Sequence, residues 1–263
     1  MGDKIVDNLQ VAVLGLGEAG GAIATDLVAL GVDVRGFDPA PREVNGVARA
    51  NTAADATAGA SLVLSVNSGA IALDVARSAA PGAGQLYADL NTGPPALKAE
   101  LSREVETAGA RFVDVALMGS VPANGLRTPC LVSGSGATAY AELAGALGVP
   151  VEVVGDEAGQ AAERKLLRSV FMKGIAAAAI ESLAAARAAG CEEWLHGELA
   201  AVFESASPAL LDRLLTGSRI HAARRVHEMQ AAGDMLTDLH VEPRISSAAR
   251  GWLQQLEMES HVG

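Results

Sequence analysis

Val11-Ala12-Val13-Leu14-Gly15-Leu16-Gly17-Glu18-Ala19-Gly20 is the stretch that decides the fold. Its first four residues are a short unbroken apolar run, the pattern of a strand buried on both faces of a parallel sheet. GxGxxG follows at once, and then a helical period of Ala19, Ile23, Leu27 and Leu30 that ends at Gly31, a good C-terminal cap. A second strand, Val32 to Phe37, delivers Asp38. From Gly15 to Asp38 is 38 − 15 = 23 positions, close to the ~20 expected between a glycine turn and the acid that holds an adenosine ribose. Strand, turn, helix, strand and acid in register predict a dinucleotide site. Gly15 permits the tight turn, Gly17 lets a pyrophosphate approach the backbone, and Gly20 lets helix pack on strand, with Leu16, Glu18 and Ala19 completing the loop. The pyrophosphate is expected at the positive end of the helix. Asp38 favours NAD because a carboxylate repels a 2′-phosphate, while Arg42 can accommodate one. The cofactor is therefore read as NAD or NADP, with NAD preferred.

The alternation continues. Ser61 to Val66 is another buried-type strand, opening into Asn67-Ser68-Gly69, a polar loop at the carboxyl edge where cofactors bind. A helix at Ile71 to Ala79 is ended by Pro81-Gly82. The strand Gln85 to Leu90 leads into Asn91-Thr92-Gly93-Pro94-Pro95, and a helix from about Ala96 to Ala108 is capped by Gly109. Strands are expected at Arg111 to Leu117, Thr128 to Ser133 and Val151 to Val154, with a helix at Ala137 to Leu147 between the last two. This order predicts an α/β fold with an N-terminal Rossmann-type, doubly wound, mostly parallel sheet. After Gly155 the strand signals stop and an all-α C-terminal domain is expected. The boundaries are a dinucleotide-binding domain over 1–158 and a helical domain over 159–263.

A second informative stretch runs from Gly159 to Gly174. At helical spacing Lys165, Arg168, Ser169, Met172 and Lys173 fall at i, i+3, i+4, i+7 and i+8. Two amines, a guanidinium and a hydroxyl then share a face suited to an anion. Leu166, Leu167, Val170 and Phe171 lie on the other side and predict a buried stripe. The net charge of −11 disfavours nucleic acid or an anionic membrane as partner. Residues 1–158 hold 9 basic and 18 acidic side chains, against 11 and 13 over 159–263, so a small anionic substrate should be met in the second part. The apolar run Gly174 to Ala189 is interrupted by Glu181 and Arg187 and is too short for a membrane span. Met1 to Gln10 lacks the apolar core of a signal peptide. Cys130 and Cys191 belong to no CxxC or secreted framework, so reduced thiols in a cytoplasmic protein are expected. The five histidines show no metal spacing, and no metal is expected.

With these motifs and two more, the chain resembles the β-hydroxyacid dehydrogenase family, whose members include 3-hydroxyisobutyrate and 6-phosphogluconate dehydrogenases. Gly15 to Gly20 matches the family's GLGxMG, with Ala19 for Met. Asp89 to Pro95 looks like its D-x-S-T-x-x-P loop, with Asn91 for Ser. Asp114 to Ser120, running on to Gly134, is similar to its substrate loop D-A-P-V-S-G-G and the next strand, with Met118 where the family has Ser. Gly159 to Lys165 keeps G-x-G-x-x-x-K, with Ala161 at the second glycine. Where the family continues K-x-x-N-N, this chain has Lys165-Leu166-Leu167-Arg168-Ser169, with Lys173 two turns on, which looks like a branch with a shortened C-terminal helical domain. The resemblance implies an NAD(P)-dependent dehydrogenase acting on a CH–OH group, Lys165 as catalytic acid/base, and a homodimer formed through the C-terminal helices.

On that reading the cofactor supplies the hydride chemistry and Lys165 takes or gives the hydroxyl proton, its neutral form favoured by burial and neighbouring cations. Arg168 and Lys173 provide that positive charge, Arg168 can hold a carboxylate in two-pronged fashion, and Ser169 can bond the same group. Asn91, Thr92, Met118, Gly119 and Ser120 are expected on the other wall, with Asn67 near the nicotinamide. Asp114 is read as a structural turn residue or cap. Arg219, Arg224 and Arg225 reach a partner's site or are simply solvated. Trp194, Leu195, Leu199, Val202 and Phe203 form a core or interface stripe, and Trp252, Leu253 and Leu256 close the domain. Two alternatives stand beside the dehydrogenase: an imine reductase on the same scaffold, disfavoured by Lys165 with Arg168, and a non-catalytic dinucleotide sensor, kept open by Met118.

Overall fold

In the computed structural model, residues 9–260 are described; Met1 to Asn8, most of the stretch expected to lack a signal peptide, and His261 lie outside them. The chain divides into two compact units between Arg168 and Ser169.

The first unit is built on one eight-stranded sheet ordered β3-β2-β1-β4-β5-β6-β7-β8. The strands are β1 (Gln10–Leu14), β2 (Asp33–Phe37), β3 (Ala48–Arg49), β4 (Leu62–Ser65), β5 (Leu86–Asp89), β6 (Arg111–Leu117), β7 (Cys130–Ser133) and β8 (Val151–Val153). Between them run α1 (Glu18–Ala29), α2 (Ala53–Thr57), α3 (Ala72–Ala79), α4 (Pro95–Thr107), the short α5 (Val121–Asn124) and α6 (Ala137–Ala146). All neighbours pair parallel except β6 and β7, which are antiparallel. The sequence order did not show that reversal: Met118 to Pro129 returns the chain to the same edge without a helix long enough for a crossover. The two-residue β3 and the one-and-a-half-turn α2 are too short for periodicity to reveal.

Alternation along β1 distributes the core. Val11 and Val13 face one layer with Leu27, Val34, Leu64 and Tyr140, whereas Ala12 and Leu14 face the other with Val63, Tyr87, Leu101 and Phe112. Both faces are covered, so the central strands read as continuous apolar runs. After β1 the chain moves to β2 on one side and then to β4 on the other. The ends of β1 and β4 therefore frame the crevice where doubly wound sheets bind ligands.

Helix α7 (Gln160–Ala188) carries the unit boundary within it, between Arg168 and Ser169. The boundary expected at residues 158 and 159 lies just before this helix. Its first turn is bonded to the sheet instead, the amides of Ala161 and Ala162 donating to Ser133 Oγ and Asp114 Oδ2 at 3.0 and 2.9 Å. Among the described residues α7 is long and apolar enough to cross a membrane by length and composition. It joins the apolar run that begins at Gly174 to the preceding basic turns in one helix of 29 residues.

The second unit contains the rest of α7 with α8 (Glu192–Glu204), α9 (Pro208–Ile220), α10 (Ala222–Asp238) and α11 (Arg244–Ser260). Its core is small: Ala185, Ala186, Ala222, Leu236 and Leu253 are buried. Val241-Glu242-Pro243 separates α10 from α11, and Glu181 accepts the first amides of α11, from Ile245 and Ser246, at 2.6 and 2.9 Å. Two expectations are corrected. Leu166, Leu167, Val170 and Phe171 do not form a buried stripe, being 36–75% exposed, and Trp252 is 66% exposed rather than closing the domain. The apolar faces exist but are left exposed among the described residues.

Candidate active site

The glycine turn takes the form its sequence demands. Gly15 sits at φ +102°, where a side chain would also strike Val66 O, and a Cβ on Gly20 would lie 1.9 Å from Gly15 O. Only glycine allows this closeness of strand, turn and helix. Gly17 is the N-cap of α1 and makes no side-chain cap to the first amides of the helix, which leaves a helix N-terminus suited to an anion. A groove of about 350 Å³ runs past Gly15, Gly17, Asp38, Arg42 and Asn67, within the usual range for small-molecule sites.

Asp38, buried at the end of β2, is engaged at both oxygens. Oδ2 accepts Leu16 N and Oδ1 accepts Ala40 N, each at 2.8 Å. Arg42 Nε lies 3.7 Å from Oδ2, and a Cβ on Gly17 would lie 3.2 Å from the Arg42 guanidinium. Arg49 donates to the carbonyls of Asp38, Ala40 and Arg42, which sets this loop. Arg49 carried no sequence signal, since its role depends on β3 pairing beside β2. Leu16 puts its side chain into the core, where Ala19 also packs, and Glu18 is in the first turn of α1. Of the predicted cofactor residues, Gly15, Gly17, Asp38 and Asn67 line the groove.

Beside the groove lies a buried polar network. Asn67 N donates to Asn91 Oδ1 at 2.6 Å, and Asn91 Nδ2 reaches Ser65 Oγ and Asp89 Oδ1. Lys98, only 1% exposed, donates to Asp89 Oδ2 at 2.6 Å and Asn91 O at 2.8 Å, and pairs with Asp114 Oδ1 at 3.1 Å. Both ends of the Asn91 side-chain amide are therefore engaged in bracing the loop. Thr92, next to it, is exposed, and Lys165 Nζ donates to its Oγ1 at 3.1 Å. Lys165 and Thr92 are brought together at the carboxyl edge of the sheet, and a small cavity beside them is lined by Asn91, Asp114, Ala116 and Ala162.

The other predicted substrate residues are placed differently. Met118, Gly119 and Ser120 do not line that cavity; Met118 N donates to Pro129 O where β6 turns back, and Gly119 and Ser120 are exposed. Arg168 is exposed, one turn beyond Lys165, while Ser169 is half-buried and Lys173 exposed in the second unit. Asp114 is the cap the sequence suggested, holding the start of α7. Arg225 donates to Ser218 Oγ at 2.7 Å and Arg224 pairs with Glu228, both within the second unit. Burial pushes the Tyr87 phenol and the Cys130 thiol up, the thiol to about 12, so both stay protonated at neutral pH.

Lys98 escaped the sequence reading, although a signal was there. Lys98, Leu101, Ser102 and Val105 fall at i, i+3, i+4 and i+7 of α4, and all four are buried. A lysine on the inward stripe of an amphipathic helix calls for a buried carboxylate partner.

The family described as the NAD binding domain of 6-phosphogluconate dehydrogenase matches residues 10–149, and a domain of unknown function matches 186–256. A conserved hypothetical protein from Sinorhizobium meliloti 1021 is 31% identical, with 94% of this chain and 87% of that one covered, at a TM-score of 0.62. The conserved protein MTH1747, of unknown function and described as structurally similar to 3-hydroxyacid dehydrogenases, is 30% identical over 95% of this chain and 97% of its own, at a TM-score of 0.63. An imine reductase from Aspergillus terreus, solved with NADPH4, superposes at a TM-score of 0.80 with 22% identity, covering 96% and 95% of the two chains. That last likeness is one of fold.

Proposed function

The chain belongs to the β-hydroxyacid dehydrogenase family, and from that premise we propose an oxidoreductase that moves hydride between NAD(P) and a small hydroxy acid, with Lys165 as general acid/base. The observation that carries this reading is the 3.1 Å hydrogen bond from Lys165 Nζ to Thr92 Oγ1. It sets an amine at the sheet edge where the dinucleotide groove opens, joined to the groove through Asn91 and Asn67.

Gly15, Gly17 and the first amides of α1 would hold the pyrophosphate, and Asp38 with Arg42 would meet the adenosine ribose. When bound, the nicotinamide supplies or accepts the hydride. The protein handles the proton: Lys165 gives it to the nascent alkoxide on reduction or takes it from the hydroxyl on oxidation, while Thr92 Oγ1 keeps the amine aimed. Arg168, one turn along, is suited to a substrate carboxylate. Ser169 and Lys173 are proposed to complete the anion site, and Met118, Gly119 and Ser120 to reach a bound substrate from the β6 side. Asp38 retains lone pairs beyond its two amide bonds and repels a 2′-phosphate, which favours NAD; Arg42 tempers that preference. The exposed apolar side chains of the helical unit support a homodimer as the working form. Both cysteines are free thiols, which suits a reducing, cytoplasmic setting.

An imine reductase is the second reading, favoured by the fold likeness. Lys165 and Arg168 weigh against it, because two cations would face an iminium. The deciding experiment is a turnover screen of small hydroxy acids, including phosphorylated and sulfonated ones, with both cofactors and with cyclic imines in a parallel arm. Hydroxy-acid turnover that drops at least about 100-fold in Lys165→Ala, the lower range of a general acid/base contribution, with NADH binding retained, is the expected result. Turnover of imines alone sinks the hydroxy-acid reading. Fluorescence transfer from bound NADH without any turnover points to the sensor.

A further inference from the structure

We propose that Lys98 is the positioning residue of the site: one buried ammonium holds both the loop that carries Thr92 and the helix start that carries Lys165. Asp89, Asp114 and Lys98 are each at most 1% exposed. Two carboxylates at that depth are tolerable only with a cation between them, and Lys98 is that cation, 2.6 Å from Asp89 Oδ2 and 3.1 Å from Asp114 Oδ1.

From this centre two chains of bonds leave in opposite directions. On one side Lys98 Nζ donates to the carbonyl of Asn91 at 2.8 Å, and Asp89 Oδ1 accepts from Asn91 Nδ2, so main chain and side chain of the residue before Thr92 are both held. On the other side Asp114 Oδ2 accepts Ala162 N at 2.9 Å and Ser133 Oγ at 3.4 Å, while Ser133 Oγ accepts Ala161 N at 3.0 Å. Lys165 is one turn beyond Ala162 on the same helix face. The Thr92–Lys165 contact spans 73 residues of sequence, and the ion cluster is what both of its ends are anchored to. A cluster serving only the core would have no need to bond the first amides of α7 and the Thr92 loop together.

Lys98 acts here on the site proposed above and so rests on that reading, but its test needs no substrate. Lys98→Met would leave two buried carboxylates without their cation and is expected to unfold the chain. Asp114→Asn leaves the Lys98–Asp89 pair neutral, removes the charge that Lys98 shares with Asp114, and weakens the acceptor that holds Ala162 N at the start of α7. The measurement is the rate at which Lys165 in the full-length protein is labelled by trinitrobenzenesulfonate, followed by mass spectrometry of its peptide. Thr92→Val and Asp114→Asn are each expected to raise that rate about fivefold, the factor corresponding to one ordinary hydrogen bond. The double variant should show no more than either single change, because both break the same link. Ser133→Ala, which removes only the hydroxyl between Asp114 and Ala161, should move the rate the same way by less. Additive effects, or a wild-type labelling rate in Asp114→Asn and Ser133→Ala, overturn the assignment. If a hydroxy acid is turned over, Asp114→Asn should also lower kcat up to about 100-fold, as a misplaced reacting group does, with KM for the cofactor unchanged. Loss of turnover candidates with the labelling pattern intact would sink the dehydrogenase reading and leave the role of Lys98 standing.

Discussion

Asp38 illustrates how one residue serves two ends. Its position after β2 suggested a ribose ligand, and its carboxylate also accepts the amide of Leu16 inside the glycine turn. Removing it should therefore loosen the turn itself. Asp38→Ala is expected to weaken NADH binding about tenfold, in line with leaving buried amides without an acceptor. NADPH should lose less, since the carboxylate no longer repels its 2′-phosphate. Arg42→Ala should weaken NADPH selectively. Fluorescence titration with both cofactors checks this, and unchanged NADH affinity in Asp38→Ala would refute the brace. Lys98 makes the complementary point: its spacing on α4 was visible, yet its partners Asp89 and Asp114 lie on two different strands and become its neighbours only when the sheet forms.

Among the elements, α7 and α11 are joined by a single carboxylate. Glu181, which interrupts the apolar run in the sequence, caps α11 through the amides of Ile245 and Ser246. Partial burial pushes its pKa up, but those amides outweigh burial and hold it below the usual carboxylate range. A carboxylate whose folded pKa is depressed contributes stability above its unfolded pKa and loses it as pH falls through the folded value. The helical unit should thus soften in acid, below the ordinary glutamate range. Glu181→Gln should cost about 1–2 kcal/mol at neutral pH, the scale of a lost helix cap, and flatten that acid dependence. Thermal unfolding followed by circular dichroism from pH 7 down to pH 3 checks both effects. An unaltered acid limb in Glu181→Gln would remove the cap from the explanation.

Considered as a whole molecule, the chain is unevenly finished. The sheet unit buries its apolar strands on both faces, whereas the helical unit leaves Ile180, Trp194, Phe203, Ile220 and Trp252 more than half exposed. A groove of about 540 Å³ in that unit, lined by Ala185, Trp194, Met229, Leu236 and Ile245, is open beside them. The homodimer proposed above would cover this surface with a second copy. On the proposed dimer, sedimentation should report two copies, and Trp194→Arg with Phe203→Asp should shift the protein to monomer while NADH titration of the groove lined by Gly15 and Asp38 gives an unchanged affinity. A monodisperse wild-type monomer would exclude the dimer.

The Rossmann half is legible in the residues alone: the glycine turn, its helix and Asp38 lie within 23 positions of one another, and local periodicity reports what local packing requires. The sequence also marked Lys165, because the motif around it is contiguous. Tertiary pairing alone set β7 antiparallel to β6, placed Lys98 between Asp89 and Asp114, engaged both ends of the Asn91 amide, and left the stripe beside Lys165 exposed. Each of these depends on residues far apart in the chain, whose pairing is set by how strands order themselves and by where buried charge can find its counterpart.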